Sequence, residues 1–143
     1  MRDPVWCLAF NAALQVLVSS LLGAFMLIPM QPWGRAWRER VDMRSLLSAH
    51  LDWYMLAFMQ WGASWLMHQW PSTRSPWVAA LLMFGGWTNA LPYLWRGLGI
   101  NAFVFAGGAK QRLAAAVSGA SALSILVAWS LLLSELWRSS SSG

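Results

Sequence analysis

Four long apolar runs constrain this chain more than any other feature of its sequence. They cover residues 5–30, 45–70, 76–97 and 112–137 of the 143-residue chain. Each approaches or exceeds the ~20 residues needed to cross ~30 Å of hydrocarbon as a helix. Lipid offers the backbone no hydrogen-bond partner, so only helices or closed barrels span it. The runs are continuous, without the apolar–polar alternation of barrel strands. The expected fold is therefore all-α: an integral membrane four-transmembrane-helix bundle. It forms a single domain over residues 1–138, with residues 139–143 as a disordered tail. Prolines punctuate the runs: Asp3-Pro4 opens the first, Pro29 and Pro32 close it, Pro71 ends the second, and Pro76 opens the third.

Composition and charge fit this reading. The chain is 58% apolar and 10% charged, against about 25% charged in an ordinary soluble domain. Its mean hydropathy is +0.47. The net charge of +5 comes from ten Lys and Arg against five acids. Arg35, Arg38, Arg40 and Arg44 flank the first connection, and Arg96, Lys110 and Arg112 flank the third, Gly-rich one. The other side has only Arg2, Arg74 and Arg138. Seven of the ten cations thus mark one side, which places those two connections in the cytoplasm and both termini outside. No basic groove suited to nucleic acid is present. The opening residues lack a cleavable signal pattern, so the first helix is expected to stay. The single cysteine, Cys7, cannot form an intramolecular disulfide. Of twelve tryptophans, Trp6, Trp33, Trp37, Trp70, Trp77, Trp95 and Trp137 fall near expected helix ends, where interfacial belts concentrate them. Trp53, Trp61, Trp65, Trp87 and Trp129 lie deeper, as packing residues or as an aromatic wall around a flat ligand.

Polar groups inside a bilayer are costly and are functional candidates by default. The second run carries Ser48, His50, Asp52 and Gln60; the third carries Thr88, Asn89 and Tyr93. The serines of the fourth suit helix packing. At ~1.5 Å per residue, counted from the 71–75 turn, His50 stands roughly 30 Å away, Tyr93 roughly 26 Å and Asn89 roughly 20 Å. These three side chains can therefore meet within about two turns of depth. Pro92, between Asn89 and Tyr93, cannot donate to the Thr88 carbonyl and kinks the helix. Asp52 sits about 200° round the helix from His50, so it faces a different neighbour. His68 stands roughly 27 Å from His50; one chain cannot clamp a haem between its two histidines. A haem held by His50 would keep its second axial position open, the arrangement of a catalytic iron. No zinc cluster, phosphate loop or placeable Ser-His-Asp set is present.

Two segments, Leu47-Ser48-Ala49-His50-Leu51-Asp52 and Gly86-Trp87-Thr88-Asn89-Ala90-Leu91-Pro92-Tyr93-Leu94, resemble the superfamily of styrene oxide isomerase and hydroxylaminobenzene mutase, which are small four-helix membrane isomerases. The helix lengths and the third connection, with Ala106-Gly107-Gly108, are similar too. The resemblance implies that His50 binds haem b, and that Asn89 and Tyr93 act on substrate beside it, with Thr88 replacing a family serine. It also implies a homotrimer with haem near the subunit interfaces, in a bacterial-type inner (plasma) membrane. Ser-Ala-His-Leu followed by an acid, here Asp52, is closer to the mutase branch, and the tyrosine to the isomerase branch. Leu56 and Ala57 stand where the family tends to carry Asn-Gly.

The activity this implies is the rearrangement of a small aromatic epoxide to a carbonyl compound with ferric haem b as Lewis acid. His50 would be the iron ligand, Asn89 and Tyr93 the catalytic hydrogen-bond donors, and Trp87, Trp53 and Thr88 the pocket. An arylhydroxylamine mutase is the alternative chemistry. A haem-carrying, non-enzymatic membrane anchor and a cofactor-free bundle are the alternatives of other classes.

Overall fold

The computed structural model describes residues 3–97, 99–101, 103–104 and 107–141. Arg2, which figured in the charge count, and Ala106, in the third connection, lie outside the described residues. Every regular element among the described residues is helical. These are α1 (Pro4–Phe25), the short α2 (Arg35–Arg38), α3 (Met43–Gln69), α4 (Pro76–Thr88), α5 (Leu91–Gly97) and α6 (Ala109–Ser141). Single 3-10 turns at Ile28–Met30, Pro32–Gly34 and Pro71–Thr73 complete the connections.

Side-chain caps start three of these helices. Asp3 accepts from the Val5 N–H at 3.1 Å, and Pro4 follows as the first helical residue. Asp42 accepts from the N–H groups of Arg44 and Ser45 at 3.0 and 3.4 Å, and from the Ser45 hydroxyl at 2.6 Å. That hydroxyl, aided by the two N–H groups and the Arg96 charge, holds the Asp42 carboxyl below the ordinary carboxylate range. Ser75 caps α4 through the Val78 N–H, again with proline at the first helical position.

Proline sets three of the ends. A proline cannot bond the carbonyl four residues back and clashes with it. α1 therefore stops at Phe25, four before Pro29, rather than running helically to residue 30. By the same rule α4 stops at Thr88, four before Pro92, so the expected helix over 76–97 is two helices, α4 and α5. Ahead of Pro71, Trp70 is extended (φ −120°, ψ 90°) and α3 ends at Gln69. The last helix is longer than expected at both ends. Ser139, Ser140 and Ser141, assigned from sequence to a disordered tail, continue α6. Their hydroxyls bond back to the Glu135 and Trp137 carbonyls at 2.7 to 2.9 Å.

α1 packs mainly along α3, and α4 along α6. One apolar core joins all four near the 71–75 turn: Leu8, Ala63, Met67, Val78, Ala79, Leu82, Ala128 and Leu132. A second, smaller core of Ala49, Trp53 and Ala90 lies toward the other end, with Trp87 and Tyr93 against it. Two helical stretches, Pro4–Met30 and Ala109–Ser141, are long and apolar enough to cross a membrane. α3 is long but diluted by Arg44, Asp52 and its amides, and α4 has only 13 residues before the break.

Candidate functional site

His50 lies on α3, half-buried against α1. Its Nδ1 stands 2.7 Å from the Ser19 carbonyl oxygen. A carbonyl only accepts, so Nδ1 carries the proton and donates. The lone pair of the neutral ring is then on Nε2, which has no hydrogen-bond partner among the described residues. Ser19 returns the contact by donating its hydroxyl to the His50 carbonyl at 2.7 Å. This reciprocal clasp makes Ser19 no nucleophile: its oxygen is 3.2 Å from Nδ1, but that nitrogen is a donor, not a base. The ring lies over Gly23, where an added Cβ would stand 2.6 Å from the imidazole Cε1. Glycine at 23 is thus what lets the imidazole reach α1. Tyr54, one turn on, meets the ring edge-on at 4.9 Å between centroids. Its hydroxyl lies 2.6 Å from Ser20 Oγ, which itself donates to Val16.

A second cluster stabilises the break after α4. The last carbonyls of a helix lack intrahelical partners, and here side chains from α1 and α3 take those of Gly86 and Trp87. The Gly85 carbonyl, already bonded by the Asn89 N–H at 2.9 Å, also accepts from Ser121 of α6 at 3.1 Å. Gln15 of α1 donates to that of Gly86 at 2.5 Å, and the Trp53 indole of α3 to that of Trp87 at 3.2 Å. Gln15 is also one link of a closed ring. The Trp87 indole donates to Asn11 at 2.9 Å, Asn11 to Gln60 at 2.6 Å, and Gln60 to Gln15 at 2.6 Å. Gln15 and Gln60 are fully buried or nearly so, and the ring satisfies both. Gly86 is required beside it, since a Cβ there would run into the Gln60 amide.

Asn89 and Tyr93 follow the break. Asn89 donates to an Asp52 carboxylate oxygen at 2.9 Å, and its Oδ1 stands 3.5 Å from Ser121 Oγ, whose one proton it shares with the nearer Gly85 carbonyl. The Tyr93 ring packs on Phe103 at 5.1 Å, and its hydroxyl makes no hydrogen bond among the described residues. His50, Asn89 and Tyr93 do share a level, since Ala49 and Trp53 pack against Ala90 and Tyr93. They do not converge within the chain: no hydrogen bond or ring contact among the described residues joins His50 to Asn89 or Tyr93. Of the expected pocket residues, Trp53 and Trp87 meet edge-on at 5.9 Å. Thr88 turns its hydroxyl back to the Phe84 carbonyl at 2.6 Å. His68 is exposed far along α3.

Sequence reasoning passed over Ser19, Gly23 and Tyr54 around His50, and Asn11 and Gln15 in the ring. A signal for most of them exists: Asn11, Gln15, Ser19 and Gly23 recur every four residues, on one face of α1. Inside a lipid-length helix such a polar and small stripe marks the side turned to other helices.

Among the described residues, no three His, Cys, Asp or Glu side chains group to hold a bare metal ion. A haem needs less, because its macrocycle supplies four of the iron's ligands and the protein one or two. Compared with known protein families, curated proteins and solved structures, the chain matches none.

Proposed function

We propose that this chain is a four-span membrane isomerase that holds haem b through His50 and rearranges an aryl epoxide to a carbonyl compound. The observation that carries the reading is the Nδ1–H bond from His50 to the Ser19 carbonyl at 2.7 Å. Metal-ligating histidines almost always donate their other ring N–H to a carbonyl or carboxylate, which fixes the tautomer and raises the basicity of the ligating nitrogen. The residues present therefore fit a haem ligated at Nε2. The membrane reading is supported by the two long apolar helices. Exposed Trp6, Trp33, Trp37, Trp70, Trp77 and Trp137 near the helix ends support it further. α3 and the α4–α5 pair would supply the two remaining spans, with both termini outside.

When bound, ferric haem b supplies a Lewis-acidic site that polarises the epoxide oxygen. The chain does the rest. As the benzylic carbon–oxygen bond breaks, a hydride would leave the neighbouring carbon that keeps the oxygen and shift to the cationic benzylic carbon, and the C–O left behind would become the carbonyl, with no net redox change. The second N–H of Asn89 and the O–H of Tyr93 donate to that oxygen as its charge develops. Asp52 and Ser121 hold the Asn89 amide in one orientation for this task. The aromatic surroundings, Trp53 and Trp87, exclude the water that would trap the cation as a diol. Within one chain, His50 and the Asn89–Tyr93 pair grip different neighbours; a homotrimer would join them across a subunit interface.

The visible spectrum of the detergent-purified protein tests the cofactor. A Soret band that disappears in His50→Ala is expected; a band unchanged by the substitution reassigns the ligand, and no band removes the mechanism. Assay with styrene oxide and with hydroxylaminobenzene then separates the chemistries. Turnover of the hydroxylamine alone overturns the epoxide reading in favour of a mutase.

A further inference from the structure

We propose that the bend between α1 and α3 is a seat for the phosphodiester headgroup of a membrane phospholipid. The inference rests on the membrane reading above, but not on the haem or the isomerase chemistry. The bend is built rigidly. Two 3-10 turns follow one another, with Gln31 N–H bonded to the Ile28 carbonyl at 3.0 Å and Gly34 N–H to that of Gln31 at 2.9 Å. Gly34 is buried, and a Cβ there would run into the Ile28 carbonyl. Trp37 fastens α2 to the end of α1 by an edge-on contact with Phe25 at 5.3 Å.

This frame encloses a cleft of about 540 Å³ lined by Arg35, Arg38 and Glu39 beside Pro29, Met30 and Pro32. Arg35 and Arg38 are three apart on a helix and so are neighbours, with Cβ atoms roughly 5–6 Å apart. Neither arginine, nor Glu39, makes a side-chain hydrogen bond or ion pair among the described residues. Two guanidinium charges against one carboxylate leave the cleft a single net positive charge. That complements a phosphodiester, which carries one negative charge, better than a phosphate monoester with its ≈ −1.5 to −2. The guanidinium fork suits phosphate oxygens in pairs.

A second observation selects a lipid over a soluble phosphodiester. An adjoining cleft of about 310 Å³ shares Pro29, Met30 and Arg38 with the first and extends it to Met43. Its walls are apolar apart from Arg38, whose stem can line it while the head faces the phosphate. A polar cleft opening into an apolar one is the shape of an amphiphile. Trp33, 72% exposed, and Trp37, 51% exposed, adjoin the lining residues Pro32 and Arg38 in sequence, and exposed indoles concentrate at headgroup level.

Native mass spectrometry of the full chain in detergent tests the seat. Three probes are added: phosphatidylglycerol, diacylglycerol with the same chains, and soluble glycerophosphoglycerol. Retention of phosphatidylglycerol alone is expected. The double variant Arg35→Gln/Arg38→Gln should lower that retention about tenfold or more, while Arg138→Gln, at the far end of α6, leaves it unchanged. Arg35→Lys/Arg38→Lys keeps the charge without the fork and should show a smaller loss, giving a readout if the double Gln variant loses its helical circular dichroism. Equal retention of diacylglycerol, binding of the soluble probe as strongly as the lipid, or retention unaffected in the charge-removing or fork-removing variants overturns the proposal. Alkaline carbonate extraction separates the two readings. A chain released from membranes removes both; a chain that stays, yet is indifferent to the arginines, removes this one alone.

Discussion

The seam between α1 and α3 and the seam between α4 and α6 are built from different chemistry. The first is polar along its length: Ser64 bonds the Val5 carbonyl at 2.8 Å, Asn11 and Gln15 meet Gln60, and Ser19 clasps His50. The second is made of Val78, Ala79, Leu82, Ala128 and Leu132, with Ser121 and Ser124 closing on Gly85. On the membrane reading proposed above, apolar contact gives helices no hydrophobic preference for each other over the acyl chains, and the α4–α6 seam would depend on close approach through small residues. The α1–α3 seam depends on directional bonds, which fix rotation and register as well as distance. The proposed haem ligand sits in the seam where orientation is fixed, and this is the property a metal ligand needs.

The contrast can be broken by the same kind of change in both seams. Gly23→Val places branched carbon where the His50 ring lies. Haem affinity should fall roughly 10–100-fold, measured by haem transfer to an apo-globin acceptor. Unchanged affinity would mean that α1 does not orient the ligand. Gln60→Leu opens the amide ring and orphans groups on Asn11 and Gln15. The loss should be about 1–3 kcal/mol for each buried group left unpaired, read as a lower denaturation midpoint in mixed micelles. Gly85→Ala drives a methyl against Ile125 and the Ser124 hydroxyl; about 1–3 kcal/mol of stability should go for overpacking, with the Soret band of the folded fraction unmoved. A shifted band there would show that the seams are not independent. The smallest effect concerns the helix starts. The Asp42 carboxyl titrates below the ordinary value, so its capping of α3 is present above that value and is lost as pH falls through the lower, folded one. α4 is capped by Ser75, which does not titrate. Amide exchange at Arg44 and Ser45 should therefore rise in acid while that at Val78 does not, and Asp42→Asn should remove the difference.

The helices were legible because their causes are local. Apolar length gave the long segments, Pro4 and Pro76 gave starts, and Pro92 gave the interruption that divides α4 from α5. The separation of His50 and Asp52 was legible too, since two residues on a helix stand about 200° apart whatever surrounds them. What lies on each side of α3 is a tertiary fact. Depth arithmetic put His50, Asn89 and Tyr93 at one level but carries no information about azimuth. The structure gives His50 to α1 and leaves Asn89 to Asp52. Nor does α6's extension through Ser139–Ser141 follow from composition: a serine run reads as tail unless its hydroxyls find the preceding carbonyls, as they do here.

The amide ring has one further consequence. An indole N–H only donates and a carbonyl only accepts. A ring that leaves from Trp87 and returns to Gly86 therefore runs in one direction. None of the three amides between them can flip without setting donor against donor on one side and acceptor against acceptor on the other. The ring has a single polarity and no second arrangement of comparable energy. A switch requires an element with two, so this ring is a fixed bearing that holds α1, α3 and the end of α4 in one register.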